Sequence, residues 1–461
     1  MDTKPQPFVP PYPVPRTRPP SRLELVRTAM RNPLELWGEP SYTKTYIRTA
    51  LFNDTTIIAN HPELIRHVLV DNARNYEMAR VRQLILRPIL RDGLLTAEGE
   101  VWKRSRKAMA PVFTPKHIHG FADMMKARVD QFLDRYREKE AVWDISVDMT
   151  ELTYEVLAVT LFSDEVMTDG MDFADDVDRL LSTMGKVDPL DLIKAPEWLP
   201  RIKRIRGRGV MEKFRKVVRR TMEQRRRKMR DDPGNVQNDF LTLLLNAEGP
   251  EGLSADEIED NLITFIGAGH ETTARALGWT LYCLANAPHE LALIESEIDE
   301  VLADDPPPVE WLGKMPKTRA AFEEAMRLYP PAANLNRRAV QSETFTFSDG
   351  ETLKINKDDT VLAMPWVLHR HRQYWTKPNA FMPSRFWPEN RDQIDRFQYL
   401  PFGVGPRVCI GATFAMQEAV IALALLLKEF RFEPTPGLNP WPVQKLTVQA
   451  QNGLPMKVCK R

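Results

Sequence analysis

The segment PFGVGPRVCIG, residues 401–411, constrains the fold of this chain more than any other part of the sequence. Its glycines at 403, 405 and 411 surround Cys409, so the backbone can turn tightly and approach a flat group closely. A long apolar helical pattern follows at once and brings its positive N-terminal end near the sulfur. Backbone N–H groups and a helix N-terminus both favour thiolate over thiol. We therefore expect Cys409 to point out of a turn as a thiolate, and not to be a small core side chain.

The composition excludes several classes of protein. The chain has 461 residues, 43% of them hydrophobic, and a net charge of +1. This balance is typical of a globular protein and gives no overall field that would gather nucleic acid or an anionic membrane. Three scattered cysteines do not form a disulfide framework, so we expect a reducing, cytoplasmic compartment. The longest apolar run, Ala419 to Leu427, is far below the roughly 18 to 20 residues of a membrane span.

Two hairpins are predicted near the ends of the chain. Residues 43–60 contain β-branched and aromatic residues on both sides of a polar Asn-Asp turn. A helix should follow, with Asn60 as its cap and Pro62 in its first turn. The second hairpin is predicted over residues 446–458, because its Asn-Gly pair suits a turn with positive φ.

Long helical patterns between these hairpins predict a mainly α fold with small β-sheets. We expect a proline-rich N-terminal segment over residues 1–40 and a single domain over residues 41–461. Residues 231–237 are predicted to be a loop between helices. The basic segment from Arg201 to Arg230 is interpreted as either a solvated helix face or a docking face for an acidic partner or membrane, with the solvated face favoured.

A zinc site is the first alternative for the cysteine. Zinc requires several Cys or His ligands at short spacings, and no second cysteine lies within reach along the loop. His369 and His371 form the only histidine cluster nearby in sequence. A single thiolate accompanied by aromatic Phe402 and cationic Arg407 suits haem iron better.

The same loop resembles the F-x-x-G-x-R-x-C-x-G signature of the cytochrome P450 family at every fixed position. The matching residues are Phe402, Gly405, Arg407, Cys409 and Gly411. The resemblance implies haem b as cofactor, Cys409 as proximal iron ligand, Phe402 beside the haem and Arg407 on a haem propionate. It also implies the cytochrome P450 fold, with the haem between a distal oxygen-binding helix and the proximal cysteine loop.

A second signature of that family is AGHETT, Ala268–Thr273. It lies in a long helical pattern for which Ser254 and Glu257 form a plausible capping box. The resemblance identifies this helix as the one that crosses the distal face of the haem. Small Ala268 and Gly269 then leave room for dioxygen, while Thr272 and Glu271 deliver protons during oxygen activation.

A third signature is the pair Glu324 and Arg327, which share one helix face. Such a pair alone is a weak signal, since these spacings are common on solvated helices. The resemblance adds Arg385, in FMPSRF, as a third partner of a buried ion-pair triad. We expect this triad to serve folding and not catalysis.

A fourth signature is Trp102 with Arg106, one helical turn apart, in EVWKRSRKAMAP. The resemblance implies that both side chains meet a haem propionate. Arg337 is expected to supply another propionate contact, and the adjacent Arg338 is the alternative.

The substrate contacts implied by the resemblance are Leu95, Ala268, Ala332 and Leu446, which are all apolar or small. Each of them is equally well interpreted as ordinary core. A pocket of this kind favours a small hydrophobic substrate, because it binds by burying apolar area.

Electrons are expected to come from a separate protein, because the sequence ends at Arg461 without a flavin or iron–sulfur pattern. The resemblance implies a ferredoxin or flavodoxin-type reductant with its NAD(P)H-dependent reductase, and O2 as co-substrate. We expect Lys103, Arg104 and Lys107 to form a positive docking face for this partner. No nucleic acid and no membrane span are expected.

Two rival functions use the same cofactor: a peroxygenase that takes peroxide directly, and a haem-based gas sensor. The acid–alcohol pair Glu271 and Thr272 is evidence against both. Peroxygenase members of the family usually replace this pair, and a sensor has no need of a proton relay. The sequence therefore favours insertion of one oxygen atom into an organic substrate by hydroxylation or epoxidation.

Overall fold

Helices dominate the architecture. A computed structural model of the chain describes residues 6–51, 54–137, 141–163, 202–249 and 252–461, which form sixteen α-helices and twelve strands. The helices are α1 (Arg22–Arg31), α2 (Pro62–Arg66), α3 (Arg80–Leu90), α4 (Gly99–Met109), α5 (Pro115–His119), α6 (Ala122–Asp134), α7 (Ile145–Phe162), α8 (Ile202–Asp231), α9 (Phe240–Asn246), α10 (Ala255–Ala285), α11 (Pro288–Ala303), α12 (Trp311–Lys314), α13 (Pro316–Leu328), α14 (Pro365–Leu368), α15 (Pro388–Arg391) and α16 (Ala412–Glu429).

The strands form four small sheets. They are β1 (Tyr46–Leu51), β2 (Asp54–Ala59), β3 (Tyr76–Met78), β4 (Ala141–Asp144), β5 (Leu335–Ala339), β6 (Glu343–Thr346), β7 (Thr352–Ile355), β8 (Thr360–Ala363), β9 (Phe430–Pro434), β10 (Trp441–Gln444), β11 (Val448–Gln451) and β12 (Pro455–Lys460). One sheet has the order β1-β2-β8-β5-β3, another β4-β12-β9, and the pairs β6-β7 and β10-β11 complete the set. The expectation of a mainly α fold with small sheets is confirmed.

Helix α10 runs through the interior and packs most extensively against α7. Its predicted capping box is confirmed, because the Ser254 hydroxyl accepts from the Glu257 N–H and the Glu257 carboxylate accepts from the Ser254 N–H. Nearly the whole helix is buried. Packing on all sides therefore holds the residues in its middle in place. The apolar run Ala419–Leu427 lies in α16 and is buried throughout. No helix in the described ranges is long and apolar enough to cross a membrane.

The N-terminal hairpin prediction is confirmed by the antiparallel register of β1 and β2, in which Leu51 pairs with Asp54. The predicted turn falls largely on residues 52–53, which lie outside the described residues. The predicted cap of the next helix is wrong by one residue, since His61 and not Asn60 accepts from the Glu63 N–H. Asn60 instead donates to two backbone carbonyls and supports the preceding loop.

The second predicted hairpin is wrong. Strand β11 pairs with β10, whereas β12 pairs with β4 and β9, so β11 and β12 are not partners. The Asn-Gly turn has the predicted conformation, with φ of 67° at Asn452 and 79° at Gly453. A Cβ atom at Gly453 would overlap the Asp144 carboxylate, so this turn serves the junction of two sheets.

The proline-rich N-terminal segment packs on the helical body from residue 8 onward. The Phe8 ring meets the Tyr282 ring edge to face, and its carbonyl accepts from the Phe381 N–H. The Tyr329 hydroxyl donates to the Pro11 carbonyl at 2.6 Å. These contacts tie the segment to the same core as the body.

The basic segment is not a uniformly solvated face. Arg201 lies outside the described residues, and the described side chains of α8 begin at Gly209. Arg215 and Arg225 are buried and form ion pairs with acids on α10 and at the start of α9, Arg215 with Asp260 and Arg225 with Asp239. The two buried arginines bind α8 to its neighbouring helices, so part of this basic segment stabilises the fold.

Candidate active site

The Cys409 loop is built by backbone geometry that requires glycine. Gly403 and Gly405 have φ of 70° and 80°, a region that L side chains rarely adopt. The Cys409 N–H donates to the Phe402 carbonyl at 2.9 Å and closes the turn. A Cβ atom at Gly405 would overlap the carbonyl oxygen of Leu69, which lies in a five-residue π-helical turn. The loop therefore holds the Cys409 side chain outward, where it is exposed.

The electrostatics of Cys409 differ from the expectation. Although its side chain is accessible, the surrounding protein desolvates it, and this burial raises the pKa of the thiol. The Gly411 N–H lowers the pKa of Cys409, as expected from the sequence, and the Arg106 charge, which was not foreseen, lowers it too, but burial outweighs both. In the chain by itself, burial thus opposes the thiolate that the local groups favour. A coordinated metal cation would supply the missing stabilisation, because a coordinating thiol is deprotonated.

Three guanidinium groups converge near this loop. Burial lowers the pKa values of Arg82 from α3, Arg337 from β5 and Arg407 from the loop. The Arg407 charge also lowers the pKa of Arg82, and the charges of Arg82 and Arg407 help to lower that of Arg337 to about 10. Glu98 is the carboxylate among them and accepts from Arg407. The Arg407 guanidinium also lies 4.5 Å from the centre of the Trp102 ring. This cluster holds more positive charge than Glu98 balances, which suits two further carboxylates.

The choice between Arg337 and Arg338 follows from strand geometry, because neighbouring strand residues point to opposite faces. Arg338 pairs with Glu77 and Asp358 on the outer side, and these pairs raise its pKa. Arg337 instead belongs to the converging cluster. The charge of Arg106 interacts with Cys409 and lowers the pKa of that thiol.

The middle of α10 presents a partly accessible face within an otherwise buried helix. Residues 267–269, Thr272 and Arg275 are partly accessible. The Thr272 hydroxyl donates to the Ala268 carbonyl at 2.8 Å, within the helix. Gly269 has a different environment from the one expected, since a Cβ atom there would lie 3.0 Å from the Leu157 side chain on α7. Its small size therefore serves the packing of α7 against α10.

Glu271 is buried and held by two residues that the sequence did not single out. The Thr447 hydroxyl, between β10 and β11, donates to Glu271 Oε1 at 2.6 Å. Arg275 forms a longer ion pair with the same oxygen at 3.8 Å. Glu271 Oε2 is buried and has no hydrogen-bond partner in the described structure. One carboxylate oxygen is thus held in place, while the other has no partner among the described residues.

Two hydrogen bonds of backbone N–H groups position the segments that carry the expected pocket residues. The Leu94 N–H donates to Asn261 Oδ1 at 2.7 Å, which places Leu95 beside the helix. The Val448 N–H donates to the Pro331 carbonyl at 3.1 Å, which places Ala332 beside the 446–448 segment. Leu95, Ala332 and Leu446 are all half-buried. The segment of Leu95 is thus joined to α10, and the segment of Ala332 to the 446–448 segment, whose Thr447 donates to Glu271 of α10.

The ion-pair triad forms as expected and is buried. Arg327 donates to both Glu324 oxygens at 2.7 and 2.8 Å, and Arg385 donates to Glu324 Oε1 at 3.3 Å. Arg327 also donates to the carbonyls of residues 369, 378 and 380. These bonds join α13 to the segments after α14, which is a structural role.

The histidine pair provides no metal site. His369 Nε2 accepts from the Leu400 N–H at 2.8 Å, and burial holds the pKa of His369 well below its usual value. His371 Nε2 contacts the Lys44 carbonyl. Within the described ranges no three His, Cys, Asp or Glu side chains come together as metal ligands.

Arg82, Glu98 and Thr447 were not identified from the sequence. No local signal marks them, because each meets its partner through chain segments that are far apart. Arg82 meets Arg407, Glu98 meets Arg407, and Thr447 meets Glu271.

Comparison with known proteins assigns the fold and the site to one class. A family model described as Cytochrome P450 matches residues 41–459. The chain belongs to the cytochrome P450 family. It is therefore a haem-dependent monooxygenase, which uses O2, an organic substrate and electrons from a redox partner.

Individual relatives agree with that assignment. The chain is 31% identical over 398 residues to cyclooctatin synthase of Streptomyces melanosporofaciens, covering 84% of this chain and 83% of the relative. It is 28% identical over 424 residues to the Arabidopsis thaliana protein LUTEIN DEFICIENT 5, chloroplastic, covering 88% and 70%. The crystal structure of a cytochrome P450, CYP102L1, superposes with a TM-score of 0.82 at 27% identity, covering 98% of this chain and 100% of that one.

Proposed function

We propose that this cytochrome P450 inserts one oxygen atom of O2 into a small hydrophobic substrate, by hydroxylation or epoxidation. The observation that carries the proposal is the partly accessible stretch of α10 around Ala268 and Thr272, in a helix to which hydrogen bonds join the segments of Leu95 and Leu446. Burial of apolar area would bind the substrate there, next to the hydroxyl that takes part in proton delivery.

Cys409, Trp102, Arg337, Arg407, Phe402 and Ala268 would hold haem b, and Arg106 would assist through Cys409. The exposed Cys409 sulfur is the one candidate iron ligand in the loop, and the excess positive charge of the arginine cluster matches two propionates. When bound, the haem supplies the iron that activates dioxygen. Arg82 would also contact a propionate, because it lies in the same arginine cluster.

The protons would pass through Glu271 and Thr272. Glu271 Oε2, which is unpaired, would take up a proton while Thr447 and Arg275 hold the rest of the carboxylate. The Thr272 hydroxyl would leave its bond to the Ala268 carbonyl and turn its proton toward the accessible side of α10. A positioned donor of this type typically contributes about 100- to 10,000-fold to a rate.

The test combines a substrate search with isotope-labelled O2. Apolar compounds that shift the spin state of the haem-loaded enzyme are offered with a surrogate ferredoxin or flavodoxin and its NAD(P)H-dependent reductase. We expect one labelled oxygen atom in the product. We expect Thr272→Ala to consume NAD(P)H at a similar rate but to divert most of it to hydrogen peroxide, with Thr280→Ala, on the buried side of α10, as the matched control.

Product without the label, or full coupling in Thr272→Ala, would contradict the proposal. Turnover with added peroxide alone, at the rate seen with O2 and reductant, would favour a peroxygenase instead.

The reductant is proposed to be a ferredoxin or flavodoxin-type protein that docks near α4. Lys103 and Lys107 are exposed there, and Lys103 forms only an exposed ion pair with Glu100. Arg104 is less suited than expected, since it is engaged with Glu257 at the start of α10. Cytoplasmic localisation stays a proposal based on the sparse, scattered cysteines.

A further inference from the structure

Exposed apolar side chains concentrate at the N-terminal end of the described chain. Eight large hydrophobic residues are exposed in the described ranges, and five of them lie between residues 9 and 30. Three of these five, Leu23, Val26 and Met30, belong to α1, with exposed fractions of 80%, 39% and 56%. Single exposed hydrophobic residues need no explanation, but three on one short helix form a patch.

The three side chains share one side of α1. Spacings of three, four and seven residues place Leu23, Val26 and Met30 on the same helical face. The opposite side is fixed to the protein, because the Thr28 hydroxyl accepts from Arg16 at 2.9 Å and Asn32 donates to the Pro442 carbonyl at 3.0 Å. A Ser21–Glu24 capping box starts the helix. The apolar face is thus held outward on an ordered helix.

Arginines flank this apolar face. Arg27 is exposed and lies next to Val26 in sequence, one turn before Met30. Arg18 precedes the helix with 85% of its side chain exposed, and Arg31 ends it, also exposed and paired with Glu35. Glu24 is the acid on the exposed surface of α1, where it caps the helix and contacts Arg18. An apolar stripe bordered by arginines is the pattern of a helix that lies in the plane of a membrane interface.

We propose that Leu23, Val26 and Met30 of α1 dock this enzyme on an anionic lipid bilayer. The apolar side chains would enter the boundary between headgroups and acyl chains, while the arginines contact the anionic headgroups. A second copy of the chain is a weaker occupant, because three side chains fall short of the roughly 800 Å² per partner in a stable protein interface. The proposal concerns a face of the fold and does not depend on the substrate.

The test measures co-sedimentation of the haem-loaded full chain with vesicles. Vesicles of phosphatidylcholine with 30% phosphatidylglycerol, about one anionic lipid in three, are compared with pure phosphatidylcholine at low and high salt. We expect binding to the anionic vesicles that weakens with salt. Leu23→Glu with Met30→Glu should reduce it by more than about tenfold, since both apolar anchors are lost.

The chain offers a matched control in Val142→Glu with Val147→Glu, which alters two exposed apolar residues on β4 and α7. This variant should bind the vesicles as the native chain does. Absence of vesicle binding by the native chain, or equal loss in both variants, would overturn the proposal. Light scattering that shows a dimer broken by the Leu23 and Met30 substitutions would assign the face to a second copy and overturn it too.

Discussion

At the scale of single residues, Glu418 is the least expected side chain near the site. It lies on α16, nine positions after Cys409, and is buried with both carboxylate oxygens lacking a hydrogen-bond partner among the described atoms. Burial raises the pKa of Glu418 well above its usual value, and an interaction with Thr273 on α10 opposes this only in part. Burial therefore favours the protonated form of Glu418 in the folded protein.

This protonation makes stability depend on pH. The unfolded chain releases the Glu418 proton above its ordinary pKa of 4.5, whereas the folded chain keeps it. Since the folded pKa is the higher one, this group lowers the free energy of unfolding as pH rises between the two values, by up to about 1.4 kcal/mol per pH unit. We expect Glu418→Gln to be more stable than the native chain at pH 8, with the difference shrinking toward pH 5.

Urea denaturation at a series of pH values measures this difference. Glu389→Gln, at an exposed site, is the control and should follow the native chain. A Glu418→Gln variant whose stability falls with pH as steeply as that of the native chain would show that Glu418 is ionised when folded.

The sequence predicted the roles of residues that interact within a short motif. Glu324 and Arg327 could be paired from their spacing, and Ser254 with Glu257 from the capping pattern, because both interactions occur within one helix. Arg82, Glu98 and Thr447 could not be found, since their partners come from distant segments. Desolvation of the Cys409 thiol was not predicted for a related reason: the sequence shows the local N–H groups, but not burial by the whole fold.

At the scale of elements, the Cys409 loop depends on its contact with the π-helical turn His67–Asp71. A Cβ atom at Gly405 would meet a backbone oxygen, which cannot rotate away, and the residue has φ of 80°. We expect Gly405→Ala to lower the free energy of unfolding by more than about 2 kcal/mol, because backbone strain and overlap add. Thermal or urea unfolding of the haem-loaded protein measures the change.

Gly313→Ala is the control for that substitution. Gly313 lies in α12 with open space around its Cβ position, so alanine there should be neutral or slightly stabilising. Equal stability of Gly405→Ala and the native chain would mean that the loop and the turn can move apart.

Structure that depends on residues close in sequence was predicted better than the pairing of strands that are distant in sequence. The β1–β2 hairpin is local and was found, whereas the 446–458 segment was assigned to a hairpin that does not form. Its turn has the positive φ that Asn-Gly allows, but β10 lies before β11, and β4 and β9 offer edges to β12. Turn chemistry fixes a turn, and long-range strand pairing decides which strands become neighbours.

At the scale of the whole molecule, the net charge of +1 means that a redox partner must recognise a local patch. The proposed patch contains Lys103 and Lys107 on α4. We expect Lys103→Glu with Lys107→Glu to slow reduction by an acidic ferredoxin by about tenfold at low ionic strength, and to approach the native rate at high salt. Stopped-flow reduction kinetics across a salt series measure this effect.

Lys213→Glu with Lys216→Glu is the matched control, since it reverses two exposed lysines on α8. Its reduction rate should equal that of the native enzyme. Equal slowing in the two variants would mean that overall charge governs the encounter, and not a site on α4.

The central claim is that Cys409 ligates the haem iron through its thiolate. The spectrum of the reduced protein with carbon monoxide tests it most directly, because thiolate ligation gives the family its characteristic long-wavelength Soret band. We expect the native chain and Cys459→Ser to show this band, and Cys409→Ser to lose it. Absence of the band in the native chain, or its persistence in Cys409→Ser, would contradict the account.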